Sequence, residues 1–193
     1  INSGTSFDID NFFIVFGTDN QDSIIVNGTL EVNGGFNGIF MTGAGFGSTL
    51  YVGPAGRLRL LGSSEIVGNQ AQVQGFGGNF LMIIDGIIEA NFYTISRMAA
   101  AGVIINAGAS IDATNNLSNG NFTNGVAGGR YLRIENTESR TIRNVNFGYS
   151  GTSTVMTNVE KSVAVSGTLD FQEYAGPSSG EANDADLNSL INW

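Results

Sequence analysis

Residues 24–32, IIVNGTLEV, and residues 163–171, VAVSGTLDF, carry nearly the same phrase 139 residues apart. Each is a short apolar alternation, a tight turn on glycine, and a second alternation with one acid inside it. Aligned on the turn glycine, the phrase begins at Gly28, returns as YVGPAGRLRL at Gly56, MIIDGIIEA at Gly86 and IINAGASIDA at Gly108, and ends at Gly167. The steps are 28, 30, 22 and 59 residues, the last about two steps long. The missing copy is expected within residues 130–147, RYLRIENTESRTIRNVNF, which alternate in the same way without a glycine turn.

Alternation with period two puts apolar side chains on one side, so Leu30 and Val32 point inward and Glu31 points out. A unit this short cannot bury its own face, whereas stacked units bury a continuous core. The spacing therefore predicts an all-β fold, a single-stranded right-handed parallel β-helix of about seven rungs, with residues 1–193 as one domain. At ~4.8 Å per rung such a stack is about 35 Å tall. The most helix-like stretch, TISRMAAAGVII at residues 94–105, contains Gly102 and a β-branched run, which favour strand. Leucine-rich repeats share the period, but the L-x-x-L-x-L frame is missing. An antiparallel sandwich also has many short strands but does not explain the recurring phrase.

A stack exposes strand edges and core at both ends, so both ends need covering. Residues 1–16 read as an N-terminal cap or as a segment that docks on another chain or domain. Their apolar run, Phe7, Phe12, Phe13, Ile14, Val15 and Phe16, costs ~1.5–3 kcal/mol for each large side chain left in water. Residues 176–193 read as the C-terminal cap, with Leu187, Leu190, Ile191 and Trp193 closing the core.

Cysteine and histidine are both absent. Disulfides, thiolate metal sites and Ser-His-Asp or Cys-His nucleophile schemes are thereby excluded. The net charge is −9, with Lys161 as the single lysine. Such a surface repels nucleic-acid phosphates and anionic membranes, and no stretch approaches the ~20 apolar residues of a membrane-spanning helix. Only 13% of residues are charged, glycine alone numbers 28, and asparagine is nearly as frequent. This composition fits many tight turns and an extracellular or cell-surface location. The start at Ile1 reads as the start of a mature or excised piece of a longer chain.

Three stretches, YLRIENTESRTIRNVNF, TNVEKSVAVSGTLDF and GPSSGEANDADLNSLINW, resemble the last coils and closing segment of β-helix domains in large bacterial cell-surface and secreted proteins. Gly180, Glu181, Asp186, Asn188, Ile191 and Trp193 fit the closing G-E-x-x-x-D-x-x-N-L-I-x-W phrase, with Ser189 intervening before Leu190. The resemblance implies an extracellular bacterial module and brings no catalytic residues with it.

The outward positions of the repeated phrase form a column: Glu31, Arg59, Glu89, Asp112 and, later, Asp170. As a plain solvated face, it has Arg59 as a favourable neighbour between two acids. As a site, it is a groove for a glycan or calcium. Were the protein a polysaccharide hydrolase, Asp112 with Asp170 or Glu89 would supply its two carboxylates. A lyase needs a basic proton abstractor, and Arg130, Arg133, Arg140 and Arg143 form the cluster on offer. Their alternation with Glu135 and Glu138 makes an ion-pair network the simpler account. Calcium is the one cofactor considered, at Asp184, Asp186 and Asn188 or, less well, at Asp19, Asn20 and Asp22; the alternative for both runs is a plain Asx turn. Most phenylalanines, among them Phe36, Phe40, Phe46, Phe76, Phe80 and Phe92, read as core. Tyr51, Tyr93, Tyr131, Tyr149 and Tyr174 read as candidate sugar-stacking platforms. Sequons stand at Asn27, Asn116 and Asn121.

Taken together, these residues describe an extracellular structural or adhesive module without catalysis. It would contact polysaccharide through Glu31, Arg59, Tyr51, Tyr93 and Tyr131, or assemble with neighbouring subunits through its end rungs. A polysaccharide-active enzyme on the same fold is the alternative. Ice binding is a distant third, since Thr152 and Thr154 form the one T-x-T pair.

Overall fold

The computed structural model describes residues 1–9, 13–16, 22–35, 38–42, 46–66, 68–148, 157–161 and 166–193, with backbone alone at 13–16, 42 and 46. Asp19, Asn20, Phe36, Tyr149, Thr152, Thr154 and Phe12 lie outside the described residues, as do the side chains of Phe13, Ile14, Val15, Phe16 and Phe46. The chain is all-β with parallel sheets. Among the described residues the helical element is a single 3-10 turn, Glu181–Asn183.

Hydrogen-bonded neighbours lie about one repeat apart in sequence. Ser6–Ile9 pairs with Thr29–Asn33, that strand with Arg57–Leu61, and that one with the first half of the long strand Ile87–Ser96. The second half of Ile87–Ser96 pairs with Ala71–Phe76, which continues through Gly38–Thr42 to Phe13–Phe16. Both halves also pair with Ser110–Thr123. A second sheet runs from Ser23–Val26 through Phe46–Val52, Asn79–Ile84, Met98–Ile105 and Arg130–Ile134 to Thr157–Glu160. A third joins Arg140–Arg143, Leu169–Gln172 and Ile191–Asn192. Residues 94–105 are strand apart from the break at Arg97, as the sequence predicts.

The turn glycines stack. Arg57 N–H donates to Gly28 O at 2.8 Å and Ile87 N–H to Gly56 O at 2.9 Å. Glycine is needed because the backbones nearly touch: a Cβ on Gly56 would lie 2.0 Å from Val26 O, and one on Gly86 2.2 Å from Gly56 O. The fourth position differs from the sequence alignment. Ser110 N–H donates to Gly86 O at 2.9 Å, so Ala109, not Gly108, stands beneath Gly86. The turn Asn106–Ala109, closed by Ala109 N–H to Asn106 O, is as long as the turn Gly53–Gly56 but ends on alanine where that one ends on glycine. The missing copy is Arg140–Arg143, within the expected stretch and paired residue for residue with Leu169–Gln172.

Alternation turns into apolar ladders. Leu30, Leu58, Ile88 and Ile111 stand in register, as do Ile24, Leu50, Met82, Val103, Leu132 and Val159. A third ladder is Ile39, Val73, Ile95, Phe122 and Phe147. All these side chains are buried, each contributing ~1.5–3 kcal/mol relative to exposure. Asparagine has its own place. At one corner Phe92, Asn119, Asn144 and Glu173 succeed one another with φ of 51°, 55°, 54° and 57°, a left-handed conformation that asparagine tolerates better than most residues. There Asn119 donates to Asn91 at 2.8 Å and Asn144 to Asn119 at 3.0 Å.

Four further expectations are corrected. Tyr93 and Tyr131 are fully buried and not surface platforms. They join Phe122 and Phe147 in an aromatic cluster with centroid separations of 5.5–6.3 Å. The Tyr93 hydroxyl donates to Leu117 O at 2.9 Å, which makes a buried tyrosine tolerable. Burial raises the pKa of Tyr93 and pushes that of Tyr131 up to about 12. Phe76 is 62% exposed and Phe92 half-buried, so neither belongs to the core. Glu89, at 4% exposure, is no part of a solvated face. At the C-terminus Leu187 is 90% exposed and does not cover the core. Ile191 is buried, and the Trp193 ring stacks on Phe171 at 4.6 Å.

Candidate functional site

The outward column is in register: Asp8 beside Glu31, Glu31 beside Arg59, Arg59 beside Glu89. Arg59 pairs with Glu31 on one side and donates from Nε to Glu89 at 3.1 Å on the other. Arg57, two residues earlier on the same strand, pairs with the second oxygen of Glu89. Two guanidinium groups thus hold one nearly buried carboxylate, which is why burial of Glu89 is tolerable. Burial disfavours the charge of Arg59, but the Glu89 hydrogen bond and the two adjacent acids outweigh it and raise its pKa.

Beyond Glu89 the pairing breaks. Ile88 pairs with Ile111 and Ala90 with Asn116, so the one residue Glu89 faces four, Asp112–Asn115. These four bulge outward as a ledge. Bulges re-aim side chains and commonly stand beside functional sites. Asp112 Oδ1 shapes the ledge by accepting the N–H groups of Asn115 at 2.8 Å and Thr114 at 2.9 Å. Those bonds, Asn115 first, hold its carboxyl below the usual carboxylate range, helped by Arg57 and Arg140. Asn115 Nδ2 lies 3.4 Å from Glu89 Oε2.

Ledge and column enclose an open cleft of about 500 Å³ lined by Thr29, Arg57, Arg59, Glu89, Asp112, Thr114 and Asn115. A second cleft of about 490 Å³, past Gly28, Pro54 and Gly56, shares Thr29 and Arg57 with it. The two make a continuous polar groove.

Asp170 lines neither cleft. It pairs in register with Thr141 and Asn192 and accepts a hydrogen bond from Gln172 at 2.5 Å. Tyr51 stands on the second sheet, its hydroxyl 2.6 Å from Asp85, and that bond raises its pKa. Asp85 also accepts from Asn106. Three of the cluster's four arginines are ion-paired: Arg133 with Glu135 and Arg140 with Glu138 at 3.1 Å, as the alternation predicts, and Arg130, with Arg133, on Glu160 from the neighbouring strand; Arg143 is exposed and makes no ion pair among the described residues.

The closing acids serve the chain itself. Asp184 accepts Trp193 Nε1–H at 2.7 Å, and its burial raises its pKa. Asp186 accepts the N–H groups of Asn188 at 3.0 Å and Ile191 at 2.7 Å. The Asn188 bond is an Asx turn. Of the sequons, Asn116 Nδ2 donates to Thr141 O at 2.7 Å, and Asn121 accepts from Asn146 at 3.0 Å.

Sequence reading found Glu31, Arg59, Glu89 and Asp112, and missed Arg57, Thr114 and Asn115. The available signal was the Asx-rich run DATNN just after the last regular copy, at residues 112–116.

The chain matches no family model, no curated protein and no solved structure.

Proposed function

We propose that the protein is an extracellular structural or adhesive module, a right-handed parallel β-helix of about seven rungs that contacts polysaccharide through the groove beside the Asp112–Asn115 ledge. The carrying observation is the electrostatic state of that groove. Glu89 is held between two arginines, and Asp112 is held ionised by backbone N–H groups. A glycosidase needs one carboxyl kept protonated to serve the leaving group. Among the described residues the acid whose pKa is raised, Asp184, lies instead under Trp193. Arginine, threonine and asparagine around fixed carboxylates suit hydroxyl and carboxylate recognition on a sugar chain. The parallel pairing of strands one repeat apart supports the β-helix reading, and the low-lysine acidic composition supports the location. Assembly with a second copy through the N-terminal end belongs to the same proposal.

A polysaccharide-active enzyme is the second reading, favoured by one observation: Glu89 and Asp112 share a cleft. A panel of neutral and uronic-acid polysaccharides separates the two. The module reading expects binding that Arg57→Ala or Asn115→Ala weakens, and no turnover. Depolymerisation abolished by Asp112→Asn would replace it with the enzyme.

A further inference from the structure

Lys161 is fully buried. Arg133 pairs with Glu160, so Lys161 follows below Ile134 in a ladder otherwise made of Val26, Val52, Ile84, Ile105 and Ile134. An amine at the foot of an apolar ladder is expensive unless it is used. Its Nζ reaches Asn136, donating to the backbone oxygen at 2.8 Å. Asn136 is itself 1% exposed. Its Nδ2 donates to Ala109 O at 3.2 Å and to Glu138 Oε2 at 3.1 Å, while its Oδ1 is buried with no hydrogen-bond partner. An orphaned buried amide oxygen beside a buried amine calls for a physical account, since each costs free energy as it stands.

We infer that Lys161 and Asn136 are the two halves of an intramolecular isopeptide bond, formed between lysine Nζ and asparagine Cγ with loss of ammonia. The neutral amine attacks Cγ, the Nζ–Cγ bond forms, and the Cγ–Nδ2 bond breaks. A proton from Nζ passes to the departing nitrogen, so one ammonia leaves and nothing is oxidised or reduced. Two features of the site serve this step. Burial lowers the pKa of Lys161, against the pull of Asp186, and so favours the nucleophilic neutral form. Glu138, fixed by Ser110 Oγ and Ile111 N–H at 2.7 Å each and by Arg140, faces the leaving nitrogen and can relay the proton. The product removes the buried charge and ties residue 136 to residue 161 across adjacent strands.

Mass spectrometry of the denatured full chain tests this. The expected mass is that of the sequence less one ammonia. Succinimide formation at the Asn-Gly pairs of Asn27, Asn33, Asn37, Asn119 or Asn124 loses the same mass, so trypsin digestion supplies the second arm. The bond predicts a branched peptide joining residues 134–140 to residues 144–193, uncut at Lys161. Lys161→Arg and Asn136→Gln, conservative enough to fold, should each abolish the branch. Glu138→Gln should slow its appearance in freshly made protein about a hundredfold. A folded, aged wild-type sample that shows the full mass, or cleavage after Lys161, overturns the inference.

Discussion

The two ends of the molecule are built on different plans. At the C-terminal end Trp193 lies on Phe171, meets Phe147 edge-on at 5.9 Å and Tyr174 at 5.0 Å, and anchors its Nε1–H on Asp184. Just inside that lid an apolar ladder gives way to Lys161. At the N-terminal end Ser6–Ile9, Phe13–Phe16 and Ser23–Val26 each have one strand neighbour among the described residues. Ile1, Phe7, Ile9, Ile24, Ile25, Leu30 and Ile39 line an apolar cleft of about 450 Å³ there. Phe7 is 43% exposed and Ile25 50%. Unpaired strand edges template further strands, while inward charges and covering side chains stop them. One end is finished and the other is more open among the described residues, so the self-association we propose would join N-terminal end to N-terminal end and not head to tail.

The difference can be broken first at the finished end. Phe147 links the aromatic cluster to the lid, and Phe147→Ala should cost ~3–5 kcal/mol as a buried aromatic. Trp193→Ala, partly exposed, should cost roughly half of that and also leave Asp184 without its indole partner. In a thermal melt these amount to drops of roughly 8–15 °C and 4–8 °C. A Trp193→Ala melt equal to wild type would show that the lid does not hold the end.

The middle of the stack gives a smaller, pH-dependent effect. The folded-state pKa of Asp112 is depressed, so its contribution is present above the unfolded value of ~3.9 and lost as pH falls through the depressed value. Asp112→Asn should therefore flatten the acid limb of the stability curve, by about 1 kcal/mol or less at this largely exposed ledge. An unchanged acid limb would mean that the ledge is not held by its carboxylate. The smallest effect belongs to the open end. Phe7→Ser should change the melting temperature of dilute protein little, because a half-exposed ring at a stack end has little burial to lose.

How far these features were legible follows from what each depends on. Alternation and turn glycines encode the strands and their spacing directly, because the same steric need recurs at Gly28, Gly56 and Gly86. Arg59 between two acids was legible for the same reason. Tyr93 and Tyr131 were misread because a hydroxyl suggests surface, and nothing local announces that Leu117 O will receive the one and Gly148 O the other. The ledge was missed because a bulge is a mismatch between two strands, which one strand's pattern does not display. The Gly108 slip has another origin: the turns Gly53–Gly56 and Asn106–Ala109 are equally long, but the second ends on alanine, so alignment on glycine falls one residue short of the stacked position. Leu187 looked like core by type, but the Asp186 turn directs it into solvent.

The availability of the N-terminal end is tested most directly by sedimentation velocity across a concentration series, on wild type and on a Phe7→Asp, Ile25→Asp double variant. The account predicts concentration-dependent association of wild type, lost in the double variant while its melting temperature in dilute solution is kept. A wild type that sediments as a monomer at every concentration would contradict it.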